Sequence, residues 1–296
     1  MKALVTGSTG FVGTHLMRRL DQPIAVGRSL EKIRQRFGQV EARVWDPSRS
    51  VEPSLLAGVD TVFHLAGESV FHGRWNAAKK EKIRASRVDA TRRLVDGFAS
   101  CAQPPKVLIC SSAIGFYGDR GAEKLVESSA PGHDFLAGVC EAWESEALRA
   151  QELGVRVVCI RTGMVLGKGG GALAQMLPLF RMGLGGCLGS GRQYMSWVHI
   201  DDLVGIMLHA AEQESISGPV NAVAPEPVTN RDFTRTLAQA LHRPAFFPVP
   251  GFILKLALGE FATVLLASQR VVPEKISQAG YRFIFPALKE GLDDLL

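Results

Sequence analysis

Three glycines spaced three residues apart, in Thr6-Gly7-Ser8-Thr9-Gly10-Phe11-Val12-Gly13, stand between an apolar run and a segment carrying Leu16 and Leu20 at helical spacing. Gly7 permits a tight turn, Gly10 lets backbone amides approach a pyrophosphate, and Gly13 lets the helix pack closely on the strand. Placed at residue 7, between strand and helix, the string reads as a dinucleotide turn rather than an ordinary loop. It lacks the Gly-Lys-Ser/Thr ending of a nucleoside-triphosphatase loop, so phosphoryl transfer is not expected.

The next informative position follows the second apolar run, where a cofactor with a free ribose 2′-hydroxyl meets an acidic side chain. Here the residues are Gly27-Arg28-Ser29, with no acid. Arg28 offers a planar fork to a 2′-phosphate, which favours NADP (NADPH) over NAD; the alternative is a solvated surface arginine. Arg87 belongs to the basic run 79–87, yet Ile83, Arg87, Ala90, Leu94 and Phe98 share one helical stripe that turns it inward. A buried arginine needs an anionic partner, here a cofactor phosphate or an internal carboxylate. No metal is expected: the seven histidines lack ligand spacing, and the five cysteines are odd in number and include no Cys-x-x-Cys pair. Ser111-Ser112 has no Gly-x-Ser-x-Gly elbow around it.

Parallel strands must position these groups. The runs Ala3 to Thr6, Ile24 to Gly27, Ala42 to Trp45, Thr61 to Leu65, Val107 to Ser111 and Val155 to Arg161 are rich in Val, Leu and Ile with little alternation. Helix-sized segments separate them, the pattern of strands buried on both faces. The expected fold is α/β, a Rossmann doubly wound parallel sheet with a small, mainly helical C-terminal substrate lid. Residues 1–165 form the NAD(P)-binding part, with one strand returning near 219–223, and 166–296 form the lid and substrate region across a discontinuous boundary.

The 296 residues are 46% hydrophobic and 21% charged, which excludes a disordered chain. The net charge of +5 is uneven. Residues 1–100 carry 17 Lys/Arg against 10 Asp/Glu, and the remainder carries 17 against 19. A basic half fits nucleic acid, an anionic membrane or a phosphorylated ligand. No nucleic-acid recognition motif accompanies it. The apolar stretch Gly251 to Ala267 includes Lys255 and Glu260 and is short for a membrane span. Phe252, Ile253, Leu256, Phe261, Val264 and Leu265 suit one face of a packed helix, preferred here to a membrane-surface helix. With no targeting segment legible, the expectation is a cytoplasmic protein without membrane or nucleic-acid partners. A second copy of the chain or a regulatory protein stays open as a partner.

Further motifs carry a family resemblance. His64-Leu65-Ala66-Gly67, Ser111-Ser112 with Phe116-Tyr117-Gly118, and Trp197-Val198-His199-Ile200-Asp201-Asp202-Leu203, together with the glycine turn, resemble the extended short-chain dehydrogenase/reductase superfamily, the NAD(P)-dependent epimerase and dehydratase group. Arg74-Trp75, Ser86-Arg87, Arg161-Thr162-Gly163-Met164, Gly189-Ser190-Gly191-Arg192-Gln193, Asn221-Ala222-Val223-Ala224-Pro225 and Leu266-Ala267-Ser268-Gln269-Arg270 are similar to its YfcH-type (SulA-like) atypical branch. The resemblance implies a cofactor site built from Gly7, Thr9, Gly10, Phe11, Val12, Gly13, Arg28, Leu65, Ala66, Gly67, Arg87, Ser111 and Met164. It also implies a substrate cleft touched by Arg74, Trp75, Trp197 and His199. For the two tryptophans core packing is the alternative, and for His199 a hydrogen-bonded structural role.

One departure matters for chemistry. Typical members carry Tyr-x-x-x-Lys on the helix after the fifth strand, where the tyrosine moves a proton and the lysine lowers its pKa and holds the nicotinamide ribose. Here that helix reads Asp134-Phe135-Leu136-Ala137-Gly138-Val139-Cys140-Glu141-Ala142-Trp143-Glu144, without tyrosine or lysine. Tyr117, Ser112 and Glu68 are the substitute candidates for acid/base work, against pocket wall, backbone-bonding serine and surface carboxylate. Two functions follow: an oxidoreductase or epimerase on a small polar, sugar-like substrate, or a non-catalytic NADP-sensing regulator, for example of cell division.

Overall fold

The computed structural model describes residues 1–71 and 74–296. Seven apolar runs build one parallel sheet: β1 (Ala3–Thr6), β2 (Ile24–Gly27), β3 (Ala42–Val44), β4 (Thr61–His64), β5 (Val107–Ala113), β6 (Arg156–Thr162) and β7 (Gly218–Ala222). Their order is β7-β6-β5-β4-β1-β2-β3. The connections therefore reverse direction between β1 and β4, and a crevice opens there at the strands' C-terminal ends. In register, Thr6 lies beside Val26 on one side and His64 on the other.

Little alternation is needed in these strands because helices cover both faces. On one side α1 (Phe11–Arg19) and α2 (Leu30–Phe37) bury Leu16, Met17 and Ile33 against Val5, Ala25 and Ile109. On the other, α3 (Ala77–Ala85) leads into α4 (Val88–Ala99), which with α5 (Phe135–Leu148) buries Leu94, Phe98, Trp143 and Ala147 against Leu4, Val62 and Leu108. Each such side chain contributes roughly 1.5–3 kcal/mol of hydrophobic burial.

After β6 the chain leaves the sheet. A two-strand pair, Met164–Gly167 with Trp197–His199, flanks α6 (Gly171–Arg181). It then returns: α7 (Ile200–Glu212) buries Leu203, Val204 and Met207 in the same core as α1, and β7 pairs with β6. The sheet unit thus extends to Ala222 around an excursion. A separate apolar cluster joins Leu166, Phe180 and Trp197 to Phe233 and Leu237 of α8 (Asn230–Ala240).

The stretch Gly251 to Ala267 departs from the expected single packed helix. It forms α9 (Gly251–Leu258) and α10 (Phe261–Leu266), broken at Gly259, whose φ of +63° suits glycine. Only Leu254 of α9 is buried, while Phe252, Ile253 and Leu256 are exposed. The last helix, α11 (Leu288–Leu295), returns Leu288, Leu292 and Leu295 to the second cluster. Among the described residues, no helix is long and apolar enough to cross a membrane.

Candidate functional site

At the crevice, the glycine turn is closed to any larger residue. Gly7 has φ +66°, and a Cβ there would stand 2.9 Å from the backbone of Leu65 and Ala66. A Cβ on Gly13 would stand 2.3 Å from the Gly7 carbonyl oxygen, so α1 packs directly on the turn. Gly10 caps α1 without any side-chain acceptor, and the first turn of the helix holds no acid. The N-terminal amides of α1 and its dipole are therefore an anion-binding end with no internal anion. Thr9 and Gly10 are exposed, and Phe11 and Val12 are half-buried. The Phe11 ring packs against Gly167, Gly170 and Gly171; a Cβ on Gly167 would fall 2.6 Å from it. Three glycines of the 167–171 stretch thus make room for one aromatic ring.

Thr6 couples the two strand ends. Its hydroxyl bonds His64 Nδ1 at 2.7 Å and accepts the amides of Leu65 and Ala66 at 3.1 and 3.3 Å. His64 is fully buried, its Nε2 has no partner among the described residues, and burial pulls its pKa down to about 4. Leu65 and Ala66 are half-buried beside the turn, and Gly67 is exposed next to the Arg87 guanidinium, 3.5 Å from where its Cβ would lie.

The two arginines differ from their surroundings. Arg28 is exposed at the end of β2 and forms no hydrogen bond or ion pair among the described residues, while Ser29 beside it caps α2 by accepting the Lys32 amide. Arg87 stands at the break between α3 and α4, with Ile83, Ala90, Leu94 and Phe98 of its stripe all buried. Its Nη1 donates to the Ile83 carbonyl at 3.2 Å and lies 3.4 Å from Ser86 Oγ, and its guanidinium sits 5.3 Å over the Trp143 ring. No carboxylate pairs with it among the described residues, and burial lowers its pKa from the ordinary arginine value.

The α5 face toward this crevice carries neither tyrosine nor lysine, and its carboxylate, Glu144, is held by Arg161. Leu136 and Cys140, one turn apart on α5, lie beside Gly115 just beyond β5. Burial pushes the Cys140 thiol up to about 12, so it stays protonated at neutral pH. Ser111 is half-buried at the end of β5, and Met164 half-buried where its strand begins.

The expected proton-handling residues are engaged elsewhere. Ser112 donates to Glu144 Oε1 at 2.6 Å, and Arg161 binds both oxygens of Glu144 at 2.8 Å. Tyr117 is fully buried; its hydroxyl donates to Asn221 Oδ1 at 2.7 Å and accepts from Arg161 Nη1 at 2.9 Å. Burial raises the pKa of its phenol. The Asn221 backbone amide in turn donates to Glu127 Oε1 at 3.0 Å. This network joins β5, α5, β6 and β7 beneath the crevice, and sequence reasoning missed Glu144 and Arg161 as its centre. The signal was available: a Glu and an Arg in otherwise apolar elements require each other. Glu68 is an exposed carboxylate 2.7 Å from Lys79 Nζ, and that hydrogen bond lowers its pKa.

The expected substrate-cleft residues divide into two pairs. Trp197 is fully buried in the second apolar cluster and donates to the Glu226 carbonyl, and is a core residue. His199 caps α7, its Nδ1 accepting the Asp201 amide at 3.1 Å, with Phe285 stacked at 4.0 Å. Burial lowers its pKa. Trp197 thus takes the core-packing alternative and His199 the helix-capping one, with His199 Nε2 3.4 Å from the Asp294 carboxylate. Arg74 and Trp75 do reach across the mouth. Arg74 donates to the Leu256 and Ala257 carbonyls of α9, and Trp75 packs against Phe135 at 5.6 Å and Phe261 at 5.8 Å. Lys80 pairs with Glu260 at 2.5 Å in the same seam.

Comparison with known proteins agrees with this geometry. The family description "NAD dependent epimerase/dehydratase family" matches residues 3–222, and "Domain of unknown function (DUF1731)" matches 249–295. An Arabidopsis thaliana protein, "Epimerase family protein SDR39U1 homolog, chloroplastic", is 38% identical over 99% of the chain and 86% of its own length. The Bacillus subtilis "Epimerase family protein YfhF" is 35% identical over 100% of the chain and 98% of its own. The crystal structure of human epimerase family protein SDR39U1 (isoform2) with NADPH superposes with TM-score 0.90 at 33% identity, covering 100% of this chain and 99% of that one.

Proposed function

Because the chain belongs to the NAD dependent epimerase/dehydratase family, as an atypical extended short-chain dehydrogenase/reductase, we propose that it binds NADPH across the β1–β4 crevice. There it acts as an oxidoreductase or epimerase on a small polar, sugar-like substrate. The observation that carries the cofactor assignment is the turn itself: Gly7 and Gly13 admit no Cβ, and the α1 N-terminus above them has no internal anion. The α1 amides would hold the pyrophosphate, Arg28 the 2′-phosphate, and Arg87, beside Gly67, would add a further contact to cofactor phosphate. The human relative crystallised with NADPH supports the same assignment. NADPH supplies a hydride when bound. The protein orients it, with Phe11 wedged under the 167–171 turn and the Arg74–Trp75 seam closing the mouth against water.

Titration of NADPH and NADH into wild type and Arg28→Ala tests this reading. Loss of a charge-assisted fork weakens NADPH by about 1.5–3 kcal/mol and leaves NADH nearly unchanged. Equal affinities for NADPH before and after the substitution refute the Arg28 assignment.

One observation favours the regulator as a second reading. Ser112 and Tyr117 are tied into the Glu144–Arg161 network, and the α5 face offers Leu136 and a protonated Cys140. Glu68, held ionised by Lys79, can serve as a base at the rim and not as an acid. Incubation with NADPH and panels of carbonyl compounds and nucleotide sugars separates the readings. Cofactor turnover or label exchange supports the enzyme; tight NADPH binding without either, together with cofactor-dependent retention of a protein partner, supports the regulator.

A further inference from the structure

The surface around α9 carries an inference independent of the cofactor site. Phe246 (81% exposed), Phe252 (71%) and Leu256 (77%) stand out from the protein, with Phe247, Ile253, Leu179, Met182 and Leu184 also exposed. Isolated exposed apolar residues are ordinary, but an apolar cluster of this kind marks a contact surface. Two stretches of chain form it, and both lack acids: no Asp or Glu occurs in 153–200 or in 233–259. They are laced together where Phe247 donates to the Gly185 carbonyl, Val249 to that of Cys187, and Gly189 to that of Val249. Gly183 also lies against Pro244. The charges carried by these two stretches are therefore of one sign, and the acid that follows them, Glu260, is paired with Lys80. Arg181, Arg243 and Lys255 are exposed there and form no ion pair among the described residues.

We propose that this face docks on an anionic lipid surface, with α9 and the Phe246–Phe247 tip entering the headgroup region and Arg181, Arg243 and Lys255 meeting lipid phosphates. Aromatic and aliphatic side chains beside unpaired cations are the composition of an interfacial helix. Each cation near an anionic bilayer adds attraction that falls off within a Debye length. A second copy of the chain fits the charge less well, because a two-fold contact through this patch would set its cations against their own copies with no acid to pair them. The face borders the seam made by Arg74 and the α9 carbonyls, so docking would bring the mouth of the crevice to the membrane.

The test is sedimentation of the full chain with phosphatidylcholine vesicles, with and without phosphatidylglycerol, at low and high salt. Wild type should bind the anionic vesicles at least about tenfold more tightly than the neutral ones and be released by salt. Arg243→Glu/Lys255→Glu and Phe252→Ser/Leu256→Ser should each lose about tenfold or more, with circular dichroism confirming that they fold. The salt series on wild type stands even where a variant does not fold. Three results overturn the proposal: no binding to anionic vesicles, binding that both variants retain, or a wild-type dimer in solution that Phe252→Ser/Leu256→Ser disperses.

Discussion

Replacing Arg87 with methionine should have opposite consequences for the free and the bound protein. Methionine keeps an unbranched stem against Trp143 and removes the charge. In the free protein the losses are one hydrogen bond to the Ile83 carbonyl at 3.2 Å, a longer contact to Ser86 Oγ at 3.4 Å, and a cation–ring contact with Trp143. Against them stands relief of the burial that lowers the Arg87 pKa. Because no carboxylate is left behind unpaired, the usual cost of about 3–5 kcal/mol for breaking a buried ion pair does not arise. The expected change in unfolding free energy without cofactor is within about 1 kcal/mol of zero.

With NADPH present the same substitution removes a charge-assisted bond to phosphate, about 1.5–3 kcal/mol, or roughly 10- to 150-fold in Kd. Differential scanning fluorimetry reads this directly. At a ligand concentration of about 100 times the wild-type Kd, NADPH stabilises the wild type by about 2.7 kcal/mol. For the variant that figure falls to between about 1.4 and 0.3 kcal/mol. NADH should suffer equally, since the Arg87 guanidinium lies beside Gly67, just past β4, and Arg28, at the end of β2, is the one placed for the 2′-phosphate. If Arg87→Met instead melts several degrees lower without ligand and keeps its full response to NADPH, Arg87 is a structural arginine and the phosphate reading fails.

Two further outcomes follow from the buried polar groups. Glu144→Gln leaves Arg161 charged beneath the crevice with one neutral partner, and urea unfolding should show a loss of about 3–5 kcal/mol; a change under 1 kcal/mol would mean that the network is not a paired charge at all. For His64, the folded-state pKa of about 4 lies below the ordinary 6.5, so the neutral form is the folded one, and its contribution is complete above pH 6.5 and lost as pH falls toward 4. Wild type should therefore lose up to about 3 kcal/mol across that window relative to His64→Gln, and parallel pH–stability curves for the two would refute it.

The sheet was legible because parallel strands buried on both faces write themselves as uninterrupted Val, Leu and Ile runs, and β1, β2, β3, β4 and β6 lie within a residue of where those runs fall. The glycine turn was legible because backbone crowding excludes side chains at Gly7 and Gly13 whatever else surrounds them. Polar residues were harder. Tyr117 and Ser112 sit at the strand end where a substrate would lie, and only three-dimensional pairing with Arg161 and Glu144 shows that their hydroxyls are occupied. His199 and Trp197 share a motif with Asp202, yet the motif's work is mechanical. His199 caps α7, and Asp202 binds the amides of Ile284 and Phe285 and the Tyr281 hydroxyl, tying the C-terminal tail to that helix. Helical periodicity also misled at 251–267, because a stripe of apolar residues shows which side could be buried and not whether anything covers it.

The arginines show how partners separate scaffold from site. Arg161 has a carboxylate, and Arg156 the carbonyls of Ala210, Ala211 and Ile216 at the end of α7, so both are spent within the fold. Among the described residues, Arg87 is drawn into an apolar stripe and bonds a carbonyl and a distant hydroxyl, while Arg28 bonds none at a strand end whose neighbouring turn already favours an anion. A folded chain that leaves two guanidinium groups under-satisfied beside an uncapped helix N-terminus has a local positive field there, with Glu68 and Asp46 nearby but neither in an ion pair with them among the described residues. The excess of cations in the first hundred residues thus has its focus at the ends of β2 and β4, where a phosphorylated dinucleotide supplies the missing anions. The cations around α9, by contrast, lie in the part of the chain whose net charge is slightly negative, and it is the lack of an acid partner among the described residues that leaves them as a surface.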